Sequence, residues 1–305
     1  MDRGIRSKFY FELCTAHAKI KTNYFKNKLF QKACSCGDYT TASLLLKDPV
    51  VNPRKDSNYA IMKASKKGHH DIVNLLLLDD RVDPSECNNY CIINASKYGH
   101  VKTVYFLLCH PKVNPSADKN KALIASSKFG YVGVMNLLLR HPKVDLKKYY
   151  NQIFYNSIRH DHISIVKILL KDCNRNIGLC NENIIGFASK FGRCKILKLL
   201  LKYKELDPCS GEDYAIRIAS TKGQYKIIKL LLKDGRIDPS ACDNYPVQVA
   251  SKNNHLKTVR LLLQDKRVNP TANNFYAFKI ALKLGHLQII NLLLEDRRIS
   301  YKLLL

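Results

Sequence analysis

A single interval constrains this chain more than any other feature. Gly37, Gly68, Gly99, Gly130, Asp161, Gly192, Gly223, Asn254 and Gly285 stand 31 residues apart, and nine units follow one another without an insertion. A period of this length marks a supersecondary unit that cannot cover its own apolar face and must stack on its neighbours. The 305 residues therefore form an array of short modules, although length alone would suggest about two domains.

The columns around this anchor say what each module is. Seven residues before it stand Phe30, Ile61, Ile92, Leu123, Phe154, Ile185, Ile216, Val247 and Phe278. Four before it stand Ala33, Ala64, Ala95, Ser126, Ser157, Ala188, Ala219, Ala250 and Ala281. An apolar and a small residue three apart share one face of a short helix, and the small one lets a neighbour approach. After the anchor come pairs such as Ile72-Val73 and Ile227-Ile228, then triplets such as Leu75-Leu76-Leu77 and Leu230-Leu231-Leu232. This broad apolar stripe predicts a second helix, buried on its inner side. Glycine at the anchor supplies the left-handed residue that ends the first helix, and Asp161 and Asn254 carry the side chains that best tolerate that conformation after glycine. Links such as Arg81-Val82-Asp83-Pro84 and Arg236-Ile237-Asp238-Pro239 cannot stay helical. Helices this short do not persist alone in water, so stability must come from stacking.

The chain divides accordingly. Residues 1–25 fall outside the period, and Phe9, Phe11, Leu13 and Ala16 predict a cap helix on the first unit. The array runs over 26–300, and 301–305 form a tail. The fifth unit departs most: Ser157 and Asp161 replace alanine and glycine, and Asn174-Arg175-Asn176-Ile177 lacks the proline. Leu146-Lys147-Lys148 lacks it in the fourth. A softer or more sharply bent junction is expected around 145–180.

Composition narrows the function. The formal charge of +26 points toward acidic partners, nucleic acid or an anionic surface. Eleven scattered cysteines fit a reducing compartment, and neither Cys34-x-Cys36 nor Cys87 with Cys91 has a second pair at zinc spacing. No apolar run is long enough for a membrane span, and the opening residues do not read as a secretory signal. Nucleotide-binding, zinc-protease and serine-hydrolase motifs are absent. No catalytic residue, cofactor or metal is expected. His69, His100, His162, His255 and His286 recur once per unit, which predicts a structural hydrogen bond at the turn in place of catalysis.

Ala64-Ser65-Lys66-Lys67-Gly68-His69, Ala95-Ser96-Lys97-Tyr98-Gly99-His100, Ile72-Val73-Asn74-Leu75-Leu76-Leu77 and Val82-Asp83-Pro84 together resemble the ankyrin repeat over about 26–300. The resemblance implies an all-α solenoid of helix-turn-helix units with short hairpin-like loops. It also implies a partner protein bound in a concave groove and at the hairpin tips. The unit is about two residues shorter than usual for the family, and the deficit falls at the hairpin. Tyr59-Ala60-Ile61-Met62 and Tyr214-Ala215-Ile216-Arg217 stand where the family has Thr-Pro-Leu-His, so hydrogen bonding at the helix start must differ. The phrasing of the repeats looks like arrays expanded in giant DNA viruses of amoebae and in some protists.

The candidate partner-binding residues lie just before the anchor. Lys66, Lys97, Lys128, Arg159, Lys190, Lys252 and Lys283 stand two before it, Lys222 stands one before it, and Tyr98, Phe129 and Phe191 add rings beside three of them. Lysine there also suits the negative end of a helix dipole, so capping alone accounts for the column as well. A second basic column, Lys167, Lys198, Lys229 and Arg260, runs along the outer helices and reads as a solvated face. Acidic tip positions, Asp56, Glu86, Asp118, Glu182, Glu212 and Asp243, interrupt a positive groove. The expected function is a monomeric, non-catalytic adaptor for an acidic protein, acting in the cytoplasm. The alternative is an electrostatic binder of nucleic acid or an anionic surface.

Overall fold

The computed structural model describes residues 23–173 and 183–299, and all regular structure among them is helical. The predicted cap helix and the tail lie outside those residues, apart from Asn23–Phe25, which open the first helix. So do Glu182 and the stretch Asn174–Ile177.

The chain divides into two compact units, with the boundary between Tyr149 and Tyr150. The first unit holds α1 (Asn23–Cys36) with α2 (Tyr39–Leu46), α3 (Lys55–Lys67) with α4 (His70–Leu77), α5 (Glu86–Lys97) with α6 (Val101–Leu108), and α7 (Ala117–Phe129) with α8 (Val132–Leu139). The second holds α9 (Tyr150–Arg159) with α10 (Ile163–Cys173), α11 (Ile184–Lys190) with α12 (Cys194–Leu200), α13 (Ser210–Thr221) with α14 (Tyr225–Asp234), α15 (Ala241–Lys252) with α16 (Leu256–Leu263), and α17 (Ala272–Leu284) with α18 (Leu287–Leu294). Within each unit the odd-numbered helices pack in one layer and the even-numbered in another.

The columns explain the layers. Ala64, Ala95, Ser126, Ala188, Ala219 and Ala250 are completely buried, and so are the serines that follow them, Ser65, Ser96, Ser127, Ser189, Ser220 and Ser251. Two adjacent small residues let neighbouring inner helices close on each other, while Ile61, Ile72, Leu76, Ile92 and Leu107 fill the space between layers. Each such side chain contributes about 1.5–3 kcal/mol by leaving water. The anchors take the left-handed conformation, with φ of 77° at Gly68 and 76° at Gly99, and Asp161 and Asn254 follow at 63° and 58°.

Where the resemblance implied a hairpin, the structure has a left-handed coil. Three consecutive residues carry positive φ within the first turn of six inner-helix spans: Asp56–Asn58, Cys87–Asn89, Asp118–Asn120, Gly211–Asp213, Cys242–Asn244 and Asn273–Phe275. This coil replaces the missing Thr-Pro-Leu-His chemistry. The amide of its third residue donates to a carbonyl four residues back, as in Asn58 to Arg54 at 3.0 Å and Asn89 to Ser85 at 2.9 Å. Left-handed backbone costs roughly 1–2 kcal/mol per ordinary residue and least for asparagine or aspartate, which supply most of these positions. The Asp or Asn of the proline link fixes the approach, its side chain accepting from the amide two residues on: Asp83 from Ser85 (2.9 Å), Asn114 from Ser116 (3.0 Å), Asp238 from Ser240 (2.9 Å).

Candidate functional site

Three sets of hydrogen bonds join neighbouring repeats within each compact unit, and they decide which recurring residues are occupied by the fold. In the first, the histidine after the anchor places Nε2 against a carbonyl 34 residues back: His69 on Ser35 (3.2 Å), His100 on Lys66 (3.0 Å), His255 on Thr221 (3.0 Å), His286 on Lys252 (3.1 Å). Gln224 donates in the same way to Lys190 (3.2 Å), and Arg193 to Arg159. The carbonyl can only accept, so the histidines carry their proton on Nε2. This is the structural bond predicted at the turn.

In the second set a buried asparagine, in the left-handed coil at Asn89 and Asn244 and within α1 at Asn27, accepts from an amide 25 residues ahead: Asn27 from Asn52 (2.8 Å), Asn89 from Asn114 (2.7 Å), Asn244 from Asn269 (2.6 Å). In the third, an arginine forks between an aspartate two residues before it and the preceding repeat's backbone. Arg81 reaches the Val51 carbonyl (3.1 Å), Arg236 that of Leu206 (2.8 Å), Arg267 that of Ile237 (3.0 Å) and Arg298 that of Val268 (2.6 Å). Their guanidinium groups hold the carboxyls of Asp79, Asp265 and Asp296 below the usual range, chiefly by hydrogen bonding. Asp213 shows the opposite effect: burial, with Asp238 and Asp207 nearby, pushes its carboxyl up.

The candidate residues lie at the ends of the inner helices. In the first unit Lys66, Lys97 and Lys128 are in the last turns of α3, α5 and α7, with Tyr98 and Phe129 41% and 43% exposed. The ammonium groups of Lys66 and Lys97 both lie 5.7 Å from the Tyr98 ring, which stacks on His100 at 6.2 Å. Lys128 lies 5.6 Å from Phe129. In the second unit Lys190 lies 5.9 Å from Phe191, and Tyr155 packs edge-on against both Phe191 (5.6 Å) and Phe187 (5.0 Å). Arg159, Lys222, Lys252 and Lys283 are exposed in this unit. Lys252 and Lys283 have Asn253 and Leu284 beside them where other units have a ring. Ladder bonds to Lys66, Arg159, Lys190 and Lys252 use the main-chain carbonyl, which any residue type offers. The fold therefore does not account for their side chains.

A further column completes the surface. Tyr59, Tyr90, Tyr214, Tyr245 and Tyr276 stand nine residues before the anchor, where the left-handed coil becomes helix. Tyr245 and Tyr276 are exposed, Lys63 lies 5.0 Å from the Tyr59 ring and Arg217 5.9 Å from that of Tyr245. Their 31-residue spacing was the signal available in the sequence. The acidic tips are partly neutralised: Glu86 pairs with Arg54 (2.5 Å), Asp118 with Lys121 (2.7 Å) and Asp56 with Lys28 (3.4 Å).

Burial pushes the thiols of Cys34 and Cys91 up to about 12, the reverse of what an activated nucleophile needs. No group of three or more ligating side chains that could hold a metal occurs among the described residues, and no described helix is long and apolar enough to cross a membrane.

A family model of ankyrin repeats, three copies long, matches residues 62–150, 92–177, 154–243 and 217–303. The chain belongs to the ankyrin-repeat family. Comparison with curated proteins returns no match.

Proposed function

We propose that the chain is a non-catalytic scaffold for an acidic protein, bound along the open side of the inner helices by the lysine and aromatic columns. Ankyrin repeats generally mediate protein–protein interaction. The observation that carries the finer reading is the Lys66–Tyr98–Lys97 stack, with Lys128–Phe129 and Lys190–Phe191 repeating its chemistry. Exposed rings flanked by cations favour a carboxylate-bearing surface, and aromatic anchors of this kind cost about 2 kcal/mol or more when truncated at an interface. A rigid stack loses little conformational freedom on binding. If the viral origin suggested by the phrasing of the repeats holds, the partner is a host protein met in the cytoplasm.

The test is purification with mass spectrometry from the native cell at two salt concentrations. It compares the parent with Lys97→Glu/Lys128→Glu/Lys190→Glu and with Lys198→Glu/Lys229→Glu. A protein retained by the parent and the outer-helix variant, and lost by the inner-helix variant, supports the reading. The inverse pattern defeats it.

A further inference from the structure

Four of the five outer helices of the second unit carry a lattice of cations that the protein-binding reading does not use; the fifth, α18 with the turn after it, has Gln288, Asn291 and Glu295 at the same positions. Along α10, α12, α14 and α16 and the turn after α12 stand Lys167, Lys171, Lys195, Lys198, Lys202, Lys226, Lys229, Lys233, Lys257 and Arg260. All ten are exposed, and none is held in an ion pair among the described residues. The same helices include two carboxylates in sequence, Asp172 and Asp234, and Asp234 is tied to Arg236 at 2.6 Å. Three positions recur, three, six and ten residues after the anchor, which places them on one helix face.

The first unit is the internal control. At the same three positions of α2, α4, α6 and α8, and in the turns that follow, it has Thr40, Ser43, Lys47, Asp71, Asn74, Leu78, Lys102, Tyr105, Cys109, Gly133, Asn136 and Arg140. Three cations and one carboxylate do the work of solvating that face. Ten cations on the other unit exceed what solvation requires, and at close range they repel one another.

We infer that this face binds the phosphate backbone of double-helical nucleic acid, without reading its sequence. Neighbouring helices lie about 8–10 Å apart, so the four span about 30 Å; a duplex carries about 18 charges over that length, roughly half facing one side. Ten cations on a strip of that size match that density. An anionic bilayer spreads its charge among neutral headgroups and is the poorer match. Lysine supplies nine of the ten, which suits point contacts to phosphate and offers no bidentate fork for base edges. The inference is independent of the protein-binding reading, since the two use different helices.

The test is fluorescence anisotropy of a labelled random duplex of about 20 base pairs, titrated with the full chain over a series of salt concentrations. The expected result is an affinity that falls about a thousandfold or more between 50 and 200 mM salt, with a logarithmic slope of about −6 to −8. Lys226→Glu/Lys229→Glu/Lys233→Glu should weaken binding at least about tenfold and lower the slope by about 3, with the matching glutamine triple in between. Lys102→Glu/Arg140→Glu and Lys97→Glu/Lys128→Glu/Lys190→Glu should leave the duplex affinity unchanged. Three outcomes overturn the proposal: no duplex binding at low salt, equal loss from the control variants, or tighter capture by phosphatidylserine-containing vesicles than by the duplex.

Discussion

At the scale of the residue, the anchor glycine answers two demands. Its φ is positive, and the space above its Cα is taken by the following repeat. A Cβ on Gly68 would lie 2.4 Å from the His100 ring, on Gly99 2.6 Å from Tyr131, and on Gly223 2.5 Å from His255. Gly285 shares the backbone conformation, with φ of 70°, but no described residue lies within 4 Å of its added carbon. Alanine at Gly285 should therefore cost only the left-handed penalty, about 1 kcal/mol, whereas Gly99→Ala should cost that plus displacement of the Tyr131 ring, about 2–3 kcal/mol in all. Denaturant midpoints of the two variants measure the difference, and equal losses would show that the ring contact is unimportant. The exceptions are consistent: Asp161 and Asn254 stand where glycine is replaced, and His286 of the repeat after Asn254 still lies 3.1 Å from the Lys252 carbonyl.

At the scale of the element, the loop between helix pairs is held by electrostatics as well as by turn chemistry. Asp296 lies 2.6 Å from Nη2 of Arg298, which also donates to the Leu263 carbonyl, while Nη1 donates to that of Val268. Its carboxyl titrates below the unfolded value of about 3.9, so the clamp contributes its full stability above that pH and loses it as pH falls through the depressed folded value. Asp296→Asn should lower the melting temperature at neutral pH by the equivalent of about 1 kcal/mol or less, and the gap to the parent should close as pH falls through the depressed folded value. A gap that persists in acid would assign the loss to packing. The helices around this loop were legible from the period alone, because Ile, Ala and Gly recur at spacings that only one geometry satisfies. The loop itself was not. Its left-handed coil depends on Asn58, Asn89 and Asn244, which look like ordinary loop polar residues until their burial and their bonds to the next repeat are seen. The candidate site was half legible for the same reason. The lysine column could be read from spacing, but Lys66 and Lys97 closing on one Tyr98 ring requires two repeats to be in contact.

At the scale of the whole molecule, the two units share a scaffold but not a surface. The first carries the paired-lysine stack at Tyr98 and a nearly neutral outer face; the second carries the Tyr155–Phe187–Phe191 cluster and the lysine lattice. The same scaffold columns recur in both, so specialisation lies outside those columns. Removing residues 69–99, one full period, joins Gly68 to His100 and should leave a helical, cooperatively folded protein. Removing 69–98 or 69–100 should not, because every subsequent residue would then meet the wrong partner. Circular dichroism and urea titration of the three deletions would decide; comparable folding of all three would contradict the geometry.

The histidine ladder donates to main-chain oxygen, and much of the asparagine and arginine ladders likewise ends on backbone atoms. A repeat thus recognises its neighbour by groups that every amino acid possesses, much as a zip fastener engages teeth of any colour. Copies can be duplicated, lost or repainted by point changes with no need for a matching change next door, which makes the chain's length and its outer chemistry two independent variables.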